Sequence, residues 1–184
     1  MKDTRELLIE SAIFVFNEDL SSPLEKVAER ANMTRRTLHR YFKDRKDLME
    51  SCEQEVQKAC LQAITAASTS SKDPVVVMEN MFFAGLDCGV KHAFLYKLHH
   101  LHDHTHSSQN PNCSEYDRTV ALWNDVLLVL LKKGLISKHI TIQWVQYLFQ
   151  GIMSATILSS GSGSLSKEEA RKFAWFSFSK GIGL

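Results

Sequence analysis

The chain has 184 residues, 44% of them hydrophobic and 23% charged, a globular composition that excludes a disordered or low-complexity protein. Its formal net charge of +1 excludes any argument for a polyanionic partner from whole-chain electrostatics, so such a partner has to be read from local charge. The three prolines, Pro23, Pro74 and Pro111, stand far apart and leave long stretches free to be helical, which makes all-α the expected fold class.

Helix starts are read from side chains that can accept a hydrogen bond from the first-turn amides, reinforced by an acid three residues on. Asp3 with Glu6 opens a first helix, on which Leu8, Ile9, Ala12, Val15 and Phe16 form one buried stripe. Ser22, with Pro23 at the first helical position and Glu25 at the third, opens a second. Thr34 caps a short third helix holding Leu38 and Phe42, and Asp44 with Asp47 opens a fourth that runs through Leu48, Cys52 and Val56 toward Ala67. The run Ser68 to Ser71 interrupts, and Asp73-Pro74 restarts a helix through Met78 and Phe82. An apolar segment from Val90 to Leu101 precedes a polar loop ending near Cys113. Ser114 with Asp117 then begins a helix through Trp123 and Leu130, with Gly134 as its left-handed cap. Two more helices are expected, from Thr141 to about Leu158 and, after a Gly/Ser loop, from Ser166 with Glu169 through Phe178. The sequence offers no credible strand.

Cys52, Cys60, Cys88 and Cys113 are widely spaced without a CxxC pair and read as free thiols of a reducing compartment. The N-terminal stretch MKDTRELLIE carries acids among its apolar residues, unlike a secretory leader. No run approaches the roughly 20 apolar residues of a membrane span, so a soluble, cytoplasmic protein with no membrane partner is expected.

Charge is concentrated in one place. Between Met33 and Lys46 stand Arg35, Arg36, Arg40, Lys43, Arg45 and Lys46 against the single acid Asp44, whereas a solvated helix face usually mixes its signs. The stretch Val27 to Phe42 reads as a helix ending near Ala31, a tight turn at Asn32, and a second helix begun by Thr34. Asn is, after Gly, the residue that best tolerates the left-handed conformation of such a turn. Val27, Ala28, Met33, Leu38 and Phe42 can share a small core with the first helix, leaving Arg35, Arg36, Thr37, His39, Arg40 and Tyr41 outward or at its edges. Arg binds guanine bidentately and Thr touches the thymine methyl in a major groove, so Arg36 and Thr37 are the expected base readers. Tyr41, His39 and Arg45 are placed on flanking phosphates, and the first amides of the helix after Asp44 can add to a phosphate.

Residues 4–50 resemble the DNA-binding domain of the tetracycline-repressor (TetR) family. The resemblance rests on Val27-Ala28, Ala31-Asn32-Met33-Thr34, Thr37-Leu38-His39, Tyr41-Phe42, Arg45 and Leu48, together with Leu8, Ile9, Ala12, Val15 and Phe16. Asn32 replaces the family's turn Gly, and His39 stands where the family has a phosphate-binding Tyr. No Gly follows Phe16, and Asn17 is expected to supply that turn. The resemblance implies a homeodomain-like three-helix helix-turn-helix over residues 1–50 and a larger helical domain over 51–184 that binds an effector and dimerises. It implies a ligand-responsive repressor that binds a palindromic operator duplex as a homodimer and is released by a small molecule. The DNA-contacting residues it implies are Thr34, Arg35, Arg36, Thr37, His39, Arg40, Tyr41 and Arg45.

Two further features bear on partners. His92, His99, His100, His102, His104 and His106 with Asp103 suggest an alternative, a metal-sensing repressor using the His99–His106 cluster; adjacent histidines cannot all face one way on a helix, and the reading adopted has no metal and no cofactor. The last two long helices, roughly Ile142 to Leu158 and Lys167 to Gly181, are apolar over more than one stripe, which marks them as the dimerising surface. The effector is expected to be mostly apolar or aromatic and held between Val56 and Leu131, by residues the sequence does not single out. No glycine-rich phosphate loop, nucleophile elbow or HExxH occurs, so an enzyme is not expected.

Overall fold

The structure, a computed structural model, describes residues 3–99, 111–161, 163 and 165–184. These form helices and turns and contain no strand. In chain order the helices are α1 (Thr4–Glu18), α2 (Leu24–Arg30), α3 (Arg35–Tyr41), α4 (Arg45–Ser68), α5 (Pro74–Cys88), α6 (Val90–His99), α7 (Pro111–Lys132), α8 (Ile142–Gly161) and α9 (Lys167–Ile182). No helix among the described residues is long and apolar enough to cross a membrane.

The chain forms two compact units. One holds the described residues within 1–58 and 90–106, the other those within 59–89 and 107–184. The division between these units falls inside α4, whose first half buries Leu48, Cys52 and Val56 in the N-terminal unit. That unit also takes in α6, which packs on α1.

In the N-terminal unit α1 begins in a full capping box between Asp3 and Glu6 and buries Leu8, Ile9, Ala12, Ile13, Val15 and Phe16. Its end departs from expectation. Asn17 is still helical, and the chain turns at Asp19 with an extended backbone, φ −148°, a conformation that needs no Gly. The Asp19 carboxylate accepts from the Ser21 amide at 2.8 Å, the Ser21 hydroxyl at 2.6 Å and the Ser22 hydroxyl at 3.2 Å. These bonds from Ser21, then Ser22, hold its carboxyl below the usual aspartate range, with Lys26 adding to the effect. Ser22 is thus drawn backward into this turn and caps nothing. The N-cap of α2 is Pro23, with no side-chain cap bond.

The C-terminal unit packs α5, α7, α8 and α9 around Phe82, Leu127, Leu130, Val145, Phe149, Met153 and Phe178. Phe82 is central: its ring lies 4.8 Å from that of Phe178, 5.5 Å from Phe149 and 5.4 Å from Trp175, within the range of favourable aromatic pairs. Asp73 caps α5 through the Val75 amide at 2.9 Å, and Ser166 with Glu169 forms the capping box of α9. α7 starts at Pro111, before the expected Ser114, since proline suits the first helical turn and Cys113 within that turn is buried. Gly134, at φ 67°, closes α7 with bonds from its own amide to Leu131 O and from Leu135 N to Leu130 O. All four cysteines are free thiols. Cys52 is buried, and burial pushes its thiol up to about 12.

Candidate nucleic-acid interface

The N-terminal unit positions α3 through its two ends. At the end of α2 the Asn32 amide bonds Glu29 O at 2.9 Å and the Met33 amide bonds Ala28 O at 2.8 Å. This paired closure requires a left-handed residue at its fifth position, and Asn32 occupies it at φ 54°. At the start of α3 the Thr34 hydroxyl accepts from the Thr37 amide at 3.1 Å. Leu38 and Phe42, four residues apart, are fully buried, as are Val27 and Ala28 of α2, while Met33 is half-buried. The anchored inner stripe fixes which residues point outward.

Outward on α3 are Arg35, Arg36, His39, Arg40 and Tyr41, with Thr34 exposed just before it and Thr37 half-buried. Arg36 has no partner among the described residues. The hydroxyls of Thr37 and Thr34 lie 2.9 Å apart, which commits the Thr37 oxygen to the cap and leaves its methyl as the contact it can offer. Arg40 Nη2 sits 3.4 Å from the Tyr41 hydroxyl and its guanidinium lies over that ring. Arg35 faces back toward α2: its Nη1 pairs with Glu25 Oε1 at 2.5 Å and its Nε donates to His39 Nε2 at 3.3 Å.

Arg45 is engaged within the N-terminal unit. Its guanidinium donates to the carbonyls of Ser22, at 2.5 Å, and Leu20, and lies 4.4 Å from the centre of the Phe16 ring. It ties the start of α4 to the α1–α2 turn, a role that spacing along the sequence does not reveal. The first turn of α4 is likewise engaged. The Asp47 amide donates to Asp44 Oδ1 at 3.0 Å, and Asp47 Oδ2 accepts from the Lys43 amide at 2.9 Å.

The side chains of His92 and His99 and all of His100, His102, Asp103, His104 and His106 lie outside the described residues. Among the described residues no three His, Cys, Asp or Glu side chains are grouped so as to hold a metal. Phe82, Phe83, Trp123 and Phe149, offered by the sequence as core or pocket lining, pack on one another in the C-terminal unit. A surface cleft of about 210 Å³ in that unit is lined by Lys72, Pro74, Val77, Asp125, Val129 and Lys133, among others.

Residues 21–52, which span α2, α3 and the start of α4, match the family described as bacterial regulatory proteins, tetR family. No curated protein sequence matches the chain significantly. Solved structures do resemble it over nearly its whole length. The TetR-like transcriptional regulator LfrR from Mycobacterium smegmatis is 19% identical, with 96% of this chain and 97% of that one covered and a TM-score of 0.64. The same regulator in complex with proflavine gives 0.63 at 19% identity, with 97% and 96% covered. The ketosteroid transcriptional regulator KstR2 of Mycobacterium tuberculosis gives 0.71 at 18% identity, with 100% and 97% covered. These likenesses are to transcription regulators and not to enzymes. The match to the tetR family thus covers α2, α3 and the start of α4, and the chain shares the fold of these TetR-family transcriptional regulators.

Proposed function

We propose that this protein is a homodimeric repressor that reads a two-fold symmetric operator through α3 and is released by a small, mostly apolar or aromatic effector bound in its C-terminal unit. The observation that carries the reading is the sidedness of α3. Leu38 is sealed inside, while Arg36, His39, Arg40 and Tyr41 form one exposed basic and hydrogen-bonding face. Arg36 and the Thr37 methyl are assigned to base edges, and Thr34, His39, Arg40 and Tyr41 to the flanking backbone. Arg35, held by Glu25, fixes the angle of α3 against α2, and Arg45 supports the turn beneath it.

Dimerisation is supported by the side chains that α8 and α9 leave outside. Trp144, Tyr147 and Leu158 on α8 are 56%, 50% and 73% exposed, and Phe173 and Phe176 on α9 are 50% and 63% exposed. Five large apolar residues on two packed helices make a patch of the kind that marks an interface. Two α3 helices related by that dyad favour half-sites about 34 Å apart or a modest multiple of it. An effector of the proposed class has a precedent in the proflavine complex of the similar regulator LfrR.

The test is binding of wild type and Arg36→Ala to a selected operator and to a scrambled duplex across a salt series. Losing a base-reading Arg should cost about 1–3 kcal/mol on the operator and barely change binding to the scrambled duplex. Equal losses on both duplexes would make Arg36 a phosphate contact, and no binding by wild type to either would end the reading.

A further inference from the structure

The cleft in the C-terminal unit has the size and lining of a small-molecule site. It offers about 210 Å³, more than the roughly 150 Å³ in which an apolar cavity takes up benzene, and so has room for a fused pair of aromatic rings. Part of its lining is apolar. Val77 of α5 is buried and Val126 of α7 half-buried, and both pack in one cluster with Ile64, Ala67 and Met81. Pro74 and Val129, the latter 42% exposed, complete this apolar surface. At the centre of the unit, by contrast, Phe82, Phe149 and Phe178 pack ring on ring. A ligand entering there would have to displace a close-packed core, whereas the cleft is open to solvent.

Charge gives the cleft a direction. Lys72, Lys133 and Asp125 line it, all exposed, and none has a hydrogen-bond or ion-pair partner among the described residues. The Ser68 hydroxyl donates to Thr65 O at 2.8 Å, which leaves the two lysines as the side-chain donors of the lining. On α7, Asp125, Val129 and Lys133 follow at four-residue steps, and the Lys133 amide still bonds Val129 O at 3.1 Å. The three therefore stand in one row about 12 Å long, negative at Asp125, apolar in the middle and positive at Lys133. We propose that this cleft binds a small monocarboxylate with an aromatic or compact apolar body. The carboxylate pairs with Lys133 and Lys72, the body lies on Val77, Val126 and Val129, and Asp125 disfavours a second anionic group at the far end. An exposed ion pair contributes little by itself, so the apolar body supplies most of the affinity and the lysines select the anion. Binding of such a ligand does not require α3 to read DNA.

The experiment titrates the full chain with naphthoate and with its neutral counterpart naphthamide, by calorimetry and by the shifts of backbone amide signals in NMR. Wild type, Val129→Glu and the double variant Lys72→Gln/Lys133→Gln are compared. On wild type, naphthoate should bind one site per chain, at least about fivefold more tightly than naphthamide, and the amides from Asp125 to Lys133 should be among those that shift. The double variant should lose that preference by weakening naphthoate about fivefold while leaving naphthamide unchanged. Val129→Glu, which removes an apolar contact and adds a negative charge, should weaken naphthoate further. All three substituted side chains are exposed, so the variants are expected to fold, which circular dichroism checks, and the comparison of acid with amide on wild type needs no variant. Absence of saturable naphthoate binding at millimolar concentration overturns the proposed site. So does equal binding of acid and amide by wild type, or naphthoate binding that persists unchanged in Val129→Glu and in the double variant. Each of these outcomes leaves the DNA reading of α3 intact.

Discussion

Gly151 gives the sharpest test of the dimer, because one substitution there should act with opposite signs on the subunit and on the assembly. It sits on α8 seven residues after Trp144, four after Tyr147 and seven before Leu158, so all four share a face. It is exposed, and a Cβ built on it meets nothing within 4 Å. Within the subunit, Gly151→Arg therefore creates no clash and replaces a helix-interior glycine, a gain of about 0.5–1 kcal/mol. Between subunits the same side chain places bulk and charge at the centre of the patch. Overpacking costs about 1–3 kcal/mol per site, and a two-fold axis presents the site twice, so the dimer should weaken by about 2–6 kcal/mol, at least thirtyfold. The assay is sedimentation over a dilution series from tens of micromolar to nanomolar, with a thermal melt of the same samples under monomeric conditions. Variant and wild type dissociating at the same concentration would refute the placement of the interface, and a monomeric wild type at the highest concentration would refute the dimer.

Arg45→Met removes two hydrogen bonds from a charged donor and a contact with the Phe16 ring. It should destabilise the protein by about 2–4 kcal/mol, read as a lower Tm, with the salt slope of DNA binding unchanged. A wild-type melt with a slope reduced by one would restore Arg45 to a phosphate. Gly85→Ala places its Cβ 2.8 Å from Phe149 Cζ, a ring already packed against Phe82 and Trp123. A net loss of about 1–3 kcal/mol is expected in denaturant unfolding despite the better helix former, whereas a gain would mean the ring moves freely. Hydrogen bonds from Ser166, side chain and then backbone, hold the Glu169 carboxyl below the usual glutamate range. The α9 capping box therefore contributes fully above that range and loses its contribution as pH falls through the lower folded value. Glu169→Gln should remove that part of the acid limb in pH-dependent melts, and an unaltered limb would assign it to other groups.

Local signals carried much of the architecture, because capping and left-handed turns are decided within four or five residues. Asp3 with Glu6, Thr34, Asp44 with Asp47, Asp73 and Ser166 with Glu169 all bond the amides their spacing indicated, and Asn32 and Gly134 are left-handed where a turn was read. The helix-turn-helix was legible for the same reason, its inner stripe of Val27, Ala28, Leu38 and Phe42 being set by helical spacing alone. Where two local partners competed, spacing misled: Ser22 could cap α2 or join the Asp19 turn, and the carboxylate took it.

Groups that act across the chain were silent in the sequence. Arg45 reads like any other member of a basic run until the fold brings the carbonyls of Leu20 and Ser22 to its guanidinium. Arg35 likewise needs Glu25 of another helix before its bond to His39 acquires meaning. The apolar surfaces of α8 and α9 show the division most clearly. Sequence marked both helices as too apolar for one core-facing stripe, but hydrophobicity has no direction. Only the packing of α8 and α9 with α5 and α7 decided that Val145, Phe149, Met153 and Phe178 face the core while Trp144, Tyr147, Leu158, Phe173 and Phe176 stay outside. Periodicity gives the angle between two side chains on one helix, and only the neighbouring helices determine which angle points inward.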